Sequence, residues 1–495
     1  MHWLIAGVAV GGPVVIFMQV PGDNVTDRAL SRLLAGVMII ATLVACSAEE
    51  SRPLEVAPLN KDPFPSTYRI PASNPLHIRR VTLLTGSGER LDDAEVVVAQ
   101  GKFLAVGSEL DTPDGAVVLD AKGNWITPGL IDVHSHMGVY SAPRTANHAD
   151  GNEMTNPVTA QVWAEHSIWP QDPQWEKAIA GGVTTVQILP GSGNLIGGRG
   201  VTVKNVPSTT VQGMKFPGAP YSLKMACGEN PKRVYGGRTQ LPSTRMGNMA
   251  AFRQAWSDAQ DYQRQWQIYR SKAASGDPSA KEPKRDLKLE TLVAVLEGEI
   301  RIHNHCYRAD EMVQMIDMSK EFGYRIAAFH HAIEAYKVAP ILRENAVCAV
   351  MWSDWWGFKQ EAFDMVRENI ALVDLVGACA IIHSDDAIQI QRLNQEVAKA
   401  MSAANRMGLA VDRARAIKWL TLNPAISLGL DDQIGSIEEG KNADFVLWSG
   451  DPFSVYSRAE KVWIDGALRY DISDPSVRPT SDFNLGLFES PEIQP

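Results

Sequence analysis

The chain has 495 residues, 45% of them hydrophobic and 21% charged, with a formal net charge of −10. That is the composition of an ordinary globular protein long enough to bury a large core. The acidic balance and the lack of a basic cluster argue against a nucleic-acid-binding body.

The first segment, Trp3 to Val20, is uncharged and apolar but broken by Gly11, Gly12 and Pro13. It reads either as a spanning helix or, the reading we favour, as sequence upstream of a translation start near Val25. Arg28 and Arg32 then precede an apolar run, Leu33 to Val44, that ends in Leu43-Val44-Ala45-Cys46. Basic residues, a short apolar segment and a small residue before a cut form a secretory signal, and the run is short for a membrane span. Its ending resembles the lipobox of bacterial lipoproteins. That resemblance implies cleavage before Cys46, lipidation of its thiol and, with Ser47 following, sorting to the periplasmic side of the outer membrane. Acyl chains would hold the protein on a membrane surface without a spanning helix. Residues 47–76 carry Pro53, Pro58, Pro63, Pro65, Pro71 and Pro75 and read as an extended tether. The remaining cysteines, Cys227, Cys306, Cys348 and Cys379, form no Cys-x-x-Cys pair, which speaks against a zinc knuckle. Export permits disulfides, but buried free thiols are the expectation.

From His77 to Ile126 the pattern is strand-like, with a hairpin signal where Gln100-Gly101-Lys102 separates Val96–Val98 from Phe103–Val106. Strand patterns return at Gly435–Ile437, Ala443–Trp448 and Lys461–Gly466. Residues 77–128 and 435–472 are therefore expected to form one small β-sandwich built from both chain ends, followed by a tail at 473–495. Between them, residues 129–434 alternate. Strands are expected at Ile131–His136, Val183–Leu189, Gly200–Lys204, Ser222–Met225, Ile302–His305, Ile326–His331, Val347–Trp352 and Ala380–Asp385. Eight strands with helices between them predict an α/β fold of the (β/α)8 TIM-like barrel type. Leu393, Val397, Ala400, Met401 and Ala404 have helical spacing that Gly408 can close. A helix through Ala416 and Leu420 must stop before Pro424. Residues 229–300 are an insertion, with an outer helix expected over Arg253–Lys272.

Chemistry gathers at the strand ends. In Pro128-Gly-Leu-Ile-Asp-Val-His-Ser-His136, His134 and His136 alternate along a strand and so share one face. Lys224 lies in the fourth strand, His303 and His305 end the fifth, His330 and His331 the sixth, and Asp385 the eighth. Barrel enzymes place their chemistry at these C-terminal ends. Imidazoles and a carboxylate converging there are the donor set of a zinc-type site.

These motifs resemble those of the amidohydrolase superfamily, in particular its imidazolonepropionase-like branch, over about His77 to Tyr470. They are Pro-Gly-Leu-Ile-Asp-x-His-x-His; Gly182-Val-Thr-Thr185; Pro190-Gly-Ser192; His305-Cys-Tyr-Arg-Ala-Asp-Glu-Met; His331-Ala-Ile-Glu; Ser384-Asp385; Asn423-Pro-Ala425; and the run from Gly435 to Asp444. The resemblance implies a split β-sandwich and one or two divalent metals, Zn2+ first among them. It makes His134, His136, His305, His331 and Asp385 ligands, and Lys224 a lysine that bridges two metals once carboxylated. His303 and His330 are then neighbours facing elsewhere, each the alternative ligand to the histidine it accompanies, Asp386 is a weaker candidate than Asp385, and Glu229 is the alternative partner for Lys224.

The implied activity is hydrolysis of a C–N bond in a small amide, cyclic amide or dipeptide by metal-activated water, with Asp385 as general acid and base. Arg308 is expected either to clamp a substrate carboxylate or to pair with Asp310. Tyr307 and Tyr336 are expected to line the pocket. Trp352, Trp355 and Trp356 form an aromatic wall or pack between loops. Asp354 is a decoy ligand, and the Asp150–Glu153 loop either covers the site or is solvated. Two rival readings are a mononuclear deaminase or imidazolone-ring hydrolase, with Lys224 structural, and a catalytically silent barrel used as a binding scaffold. A homo-oligomer is compatible with all of them.

Overall fold

Two eight-stranded sheets organise the described chain. The computed structural model describes residues 62–478 and four short strands between residues 3 and 19. Trp3–Ile5 pairs antiparallel with Phe17–Gln19, and Val8–Ala9 with Gly12–Pro13, so this stretch is not the helix considered above. The signal run with Cys46, the tether as far as residue 61 and the tail from 479 lie outside the described residues. No helix among the described residues is long and apolar enough to cross a membrane.

The first sheet joins both ends of the chain. Its N-terminal strands are β1 (Leu76–Leu84), β2 (Arg90–Ala99), β3 (Lys102–Gly107), β4 (Val117–Asp120) and β5 (Trp125–Pro128). β5 pairs antiparallel with Phe445–Trp448 from the far end of the chain, which pairs on with Ala459–Ile464 and then Ala467–Asp471. Hydrogen bonding runs unbroken through all of these strands, so the expected sandwich is one continuous sheet. Ile78, Val96, Phe103 and Ile126 share a core with Phe445, Leu447 and Trp463. Core residues two apart, such as Val96 with Val98 and Phe445 with Leu447, lie on one face of their strands.

The second sheet is the nearly closed barrel: β6 (Leu130–Ser135), β7 (Val183–Ile188), β8 (Ile196–Lys204), β9 (Ser222–Ala226), β10 (Arg301–His305), β11 (Ile326–His330), β12 (Cys348–Met351) and β13 (Ala380–Ile382). All eight expected strands exist, in sequence order around the sheet. The strict (β/α)8 expectation fails at β8, which runs antiparallel to both neighbours. The connection Leu189–Leu195 is too short for a parallel crossover, which takes a dozen or more residues. Where β13 meets β6, Asp385 N donates to the His134 carbonyl at 3.1 Å. The Asp132 carboxylate accepts from the Ser384 amide at 3.3 Å and from the Ser384 hydroxyl.

Local chemistry sets the approach of strands. A Cβ at Gly129 would lie 2.1 Å from Thr184 Oγ1, so the Pro-Gly step and the Gly-Val-Thr-Thr segment need each other. The insertion contains a long helix, Arg245–Ala274, wider than the expected Arg253–Lys272, and its Phe252, Trp256 and Ala259 join the barrel core. The helix expected to end before Pro424 breaks at Thr421, and Pro424 sits in the first turn of a new helix, Leu422–Leu428, where its missing N–H costs nothing. The tether is docked from residue 62 onward. Asp62 pairs with Lys215 at 2.9 Å, Thr67 N donates to Gln212 O at 2.9 Å, and the buried Tyr68 hydroxyl donates to Asp465 at 2.6 Å.

The free-thiol expectation is also corrected. Cys227 is bonded to Cys306, and Cys348 to Cys379. The first bridge follows β9 and β10, which are paired in register from Ser222 with Arg301 to Ala226 with His305. The second joins the starts of β12 and β13, where Ala349 pairs with Ala380.

Candidate metal centre

The strand ends bring His134, His136, Lys224, His305, His331 and Asp385 to the same mouth of the barrel. Nε2 of His136 lies 3.2 Å and Nε2 of His134 lies 3.5 Å from Asp385 Oδ1, while Nε2 of His331 lies 3.8 Å from Asp385 Oδ2. Lys224 Nζ lies 3.3 Å from His134 Nε2. The His305 ring is 4.8 Å from that of His331. Two ligand triads have donor atoms close enough to share one ion: His134, His136 and Asp385, and His134, His331 and His383.

Two of the candidate ligands are held by partners of their own. His136 Nδ1 donates to the Leu189 carbonyl at 2.8 Å, which leaves Nε2 facing the cluster. His305 Nδ1 lies 2.9 Å from Ser192 Oγ, and its Nε2 lies 3.4 Å from Asn230 Nδ2. Such partners fix ring orientation and tautomer in metal sites. His331 and Asp385 both take left-handed backbone angles, with φ of 56° for each. That conformation is uncommon outside glycine and concentrates at functional sites.

His383 was missed by the sequence reading. It is fully buried, and neither ring nitrogen has a hydrogen-bond partner. It precedes Asp385 by two residues, the same alternation that exposed His134 and His136. The other correction concerns His303 and His330, which do not face elsewhere. His134 Nδ1 lies 2.7 Å from His330 Nδ1, and His330 Nε2 lies 2.8 Å from His303 Nδ1. His303 lies two residues before His305 and so shares its face. His330 reaches the interior beside His331 because the left-handed turn at His331 interrupts strand alternation.

Burial sets the protonation of this cluster. It drives the pKa of His134, His305, His330 and His331 well below the ordinary imidazole value, aided by neighbouring cations. His303 and His383 fall to about 3 for the same first reason. Burial also pulls Lys224 down to about 7. Burial pushes the Asp385 carboxyl up, but the hydrogen bond from His136 and the charges of His136, His383 and Lys224 outweigh it, so the carboxyl stays below its usual range. Neutral imidazoles, an ionised carboxylate and a lysine able to lose its proton are the states that metal binding requires. The unpartnered nitrogens, Nδ1 of His331 and both of His383, are costly to bury without a partner, and a divalent cation fits that donor set.

The surroundings sort the remaining candidates. Tyr307 is 4% exposed; its ring stacks 5.8 Å from His331 and 6.3 Å from Trp352. Trp352 stacks on His331 at 4.4 Å and Trp355 on Trp352 at 5.4 Å, whereas Trp356 is half exposed. Arg308 forks onto Asp310 with both bonds at 2.9 Å, and both side chains are largely exposed. Tyr336 is turned to the Asp364 carbonyl, at 3.2 Å. Asp354 pairs with Lys399 at 2.9 Å. Asp386 accepts from the amides of Ile388 and Gln389, a turn role. Glu229 faces Lys359 at 3.5 Å and is not the partner of Lys224. In the Asp150–Glu153 loop, Gly151 O accepts from Gly191 N at 2.8 Å. The loop thus backs the Pro190–Ser192 segment whose serine meets His305.

With this geometry in hand, the chain can be compared with known proteins. Residues 364–478 match the amidohydrolase family. The crystal structure of an amidohydrolase from Thermotoga maritima MSB8 is 35% identical with a TM-score of 0.73, covering 80% of this chain and 100% of that one. Amidohydrolase tasK of Hapsidospora irregularis is 32% identical over 416 residues, which are 78% of this chain and 41% of that protein. The chain thus spans about two fifths of the length of this curated relative. Urease subunit alpha of Clostridium perfringens is 29% identical over 126 residues, 22% of this chain and 21% of that protein.

Proposed function

The chain belongs to the amidohydrolase family; on that premise we propose that it is a hydrolase of carbon–nitrogen bonds, acting on a small amide, cyclic amide or dipeptide with the help of one or two divalent metals. Within the family we assign it to the imidazolonepropionase-like branch, on the motifs from Pro128 to Asp444. The observation that carries the reading is the convergence of His134 Nε2, His136 Nε2, His331 Nε2 and Lys224 Nζ around Asp385 and His134, beside imidazole nitrogens that have no other partner.

His134, His136 and Asp385 would hold one ion and His305 and His331 the other, with a carboxylated Lys224 shared by both. Nitrogen and oxygen donors of this kind suit Zn2+. A divalent ion held by these residues would supply a water activated at neutral pH and a positive charge to polarise the carbonyl under attack. Asp385, ionised and facing the same space, takes the water's proton on a carboxylate oxygen and later delivers it to the leaving nitrogen. Lys224 makes no ion pair with a carboxylate among the described residues, and its depressed pKa favours the free amine that carboxylation needs. Tyr307 and Trp352 wall the mouth, shield the reacting groups from bulk water and present aromatic faces to the substrate.

We also place the protein outside the cytoplasm, anchored to a membrane by acylated Cys46. The Leu43–Cys46 sequence supports this, as do two disulfides, which persist in oxidising compartments. Replacing Cys46 with Ser should move the protein from the membrane fraction to the soluble one.

The test is metal content per chain on protein lacking residues 1–46 and prepared without chelators, alongside Lys224→Ala, with hydrolysis screened on dipeptides, cyclic amides and amidines. About two metals, falling on mutation, with amide or dipeptide turnover, is the expected result. One metal unchanged by mutation would turn the reading to the mononuclear deaminase or ring hydrolase. No metal and no turnover would leave the scaffold.

A further inference from the structure

Three imidazoles stand in a row inside the barrel: His134, His330 and His303, from β6, β11 and β10. Their contacts, Nδ1 to Nδ1 at 2.7 Å and Nε2 to Nδ1 at 2.8 Å, are hydrogen-bond distances, so each holds one proton. All three side chains are fully buried. A neutral imidazole offers one N–H and one lone pair, so a proton placed on one ring dictates its position on the next two.

The direction of the row matters to the centre. If His134 is to bind a cation through Nε2, its hydrogen must sit on Nδ1 and point at His330. His330 then accepts at Nδ1 and donates from Nε2 to His303 Nδ1, and His303 carries its hydrogen on Nε2. The reverse direction leaves a hydrogen on His134 Nε2 and no lone pair for a metal. A carboxylate or a backbone carbonyl behind His134 would permit one direction. An imidazole permits both, so the outer groups must decide. Two groups face His134 Nε2: Lys224 Nζ, the nearer at 3.3 Å, is a donor that calls for the lone pair there and so for the productive direction, while Asp385 Oδ1 at 3.5 Å would accept a hydrogen, a demand that a cation held between Nε2 and the carboxylate removes. At the far end, His303 Nε2 makes no well-aligned hydrogen bond among the described residues, and the backbone of Ser427 draws a proton towards this ring, so nothing there demands the opposite one.

We propose that His330 and His303 are positioning residues: a buried imidazole relay that locks His134 into its ligand tautomer and thereby sets the affinity of the inner metal position. The proposal rests on the metal-dependent reading above. It assigns no contact with substrate to either residue.

The test measures the Zn2+ dissociation constant by competition with a chromophoric chelator, on wild type and on His330→Phe, His330→Gln and His303→Phe. Partners behind a metal-binding histidine are worth about 10- to 100-fold in affinity, so His330→Phe should weaken binding by that factor. His330→Gln, whose carbonyl can accept from His134 Nδ1–H, should recover most of it. His303→Phe, which removes the end of the row, should show a smaller loss in the same direction. A packing role would instead lower the melting temperature of all three variants without separating Phe from Gln in affinity. Histidine-selective 15N spectra of the wild type provide a second readout that needs no variant. A proton on Nδ1 of His134 and Nε2 of His330 is expected with and without zinc. Zinc affinity of His330→Phe within twofold of wild type, or His134 protonated on Nε2 in the zinc-loaded protein, would overturn the proposal. A wild type that binds no divalent metal would sink the metal reading itself, which separates the two failures.

Discussion

Asp385→Asn removes one proton acceptor and one ligand charge while keeping the side chain's shape. The residue's φ of 56° lies in the left-handed region, where asparagine and aspartate are the side-chain-bearing residues best tolerated, so the backbone has no reason to move. The amide has the carboxylate's shape and can turn its NH2 to the lone pair on Nε2 of His136, which lies 3.2 Å from the Asp385 carboxylate. What it cannot do is take a proton from water and return it to a leaving nitrogen. A positioned acid–base group is worth about 10²- to 10⁴-fold in rate, or roughly 2.7 to 5.4 kcal/mol of barrier. We therefore expect kcat to fall about a thousandfold, the melting temperature to stay within a few degrees, and metal to bind more weakly because a ligand charge is lost. The assay is kcat at saturating Zn2+ on the best substrate of the screen, with metal content and circular dichroism melts on the same preparations. In the wild type the carboxyl is held below its usual range, so it is ready as a base at any pH above that depressed value, and the acid limb of the rate profile should lie lower than an ordinary carboxylate would give. A variant that keeps a tenth or more of wild-type kcat at full metal occupancy would refute the assignment.

Lys204 is buried between Asp465 at 2.9 Å and Asp444 at 3.4 Å, so Lys204→Met should cost about 3–5 kcal/mol in urea unfolding; a change below roughly 1 kcal/mol would show that the trio is not a coupled unit. Burial raises the Asp444 pKa to about 6, above its unfolded value, so this group's contribution is full below the unfolded pKa and is lost as pH rises through about 6. The variant should therefore be hurt more at pH 8 than at pH 4. Reducing Cys227–Cys306 unties the strand end that carries Lys224 from the one that carries His305. Weaker zinc binding after reduction, reproduced by Cys227→Ser, is the expected outcome, and unchanged affinity would count against it. Arg308→Ala should leave KM within about twofold, because the guanidinium is largely exposed and committed to Asp310; a tenfold rise would restore it as a substrate clamp.

Much of the centre could be read from residue spacing. His134 and His136 stand out because alternation puts them on one strand face, and Asp385 because it follows the apolar run Ala380–Ile382, whereas Lys224 is picked out by the family resemblance more than by its own surroundings. His383 follows the same rule but sits at the end of the Ala380–Ile382 run, where Ser384-Asp385 drew attention past it. His330 was unreadable for a different reason: the left-handed residue after it undoes alternation, and such a backbone angle leaves no mark in a histidine pair. The reversed β8 depended on the length of one connection, which a count of strands does not weigh. The disulfides depend on which strands become neighbours and in what register, so cysteines far apart in sequence carry no sign of their pairing.

The sheet shared by the two chain ends has a consequence for how the protein is made. β5 waits for Phe445–Trp448, which the ribosome delivers more than three hundred residues later. Until then the N-terminal strands have an open edge and an apolar face that lacks Phe445, Leu447 and Trp463, the kind of surface that recruits other chains. A nascent or truncated polypeptide ending before residue 445 is thus a poor candidate for independent folding, however complete its barrel. Biogenesis is better served by keeping the whole polypeptide unfolded until its last strands have arrived, and a carrier that shields residues 76–128 during synthesis would raise the yield of native protein.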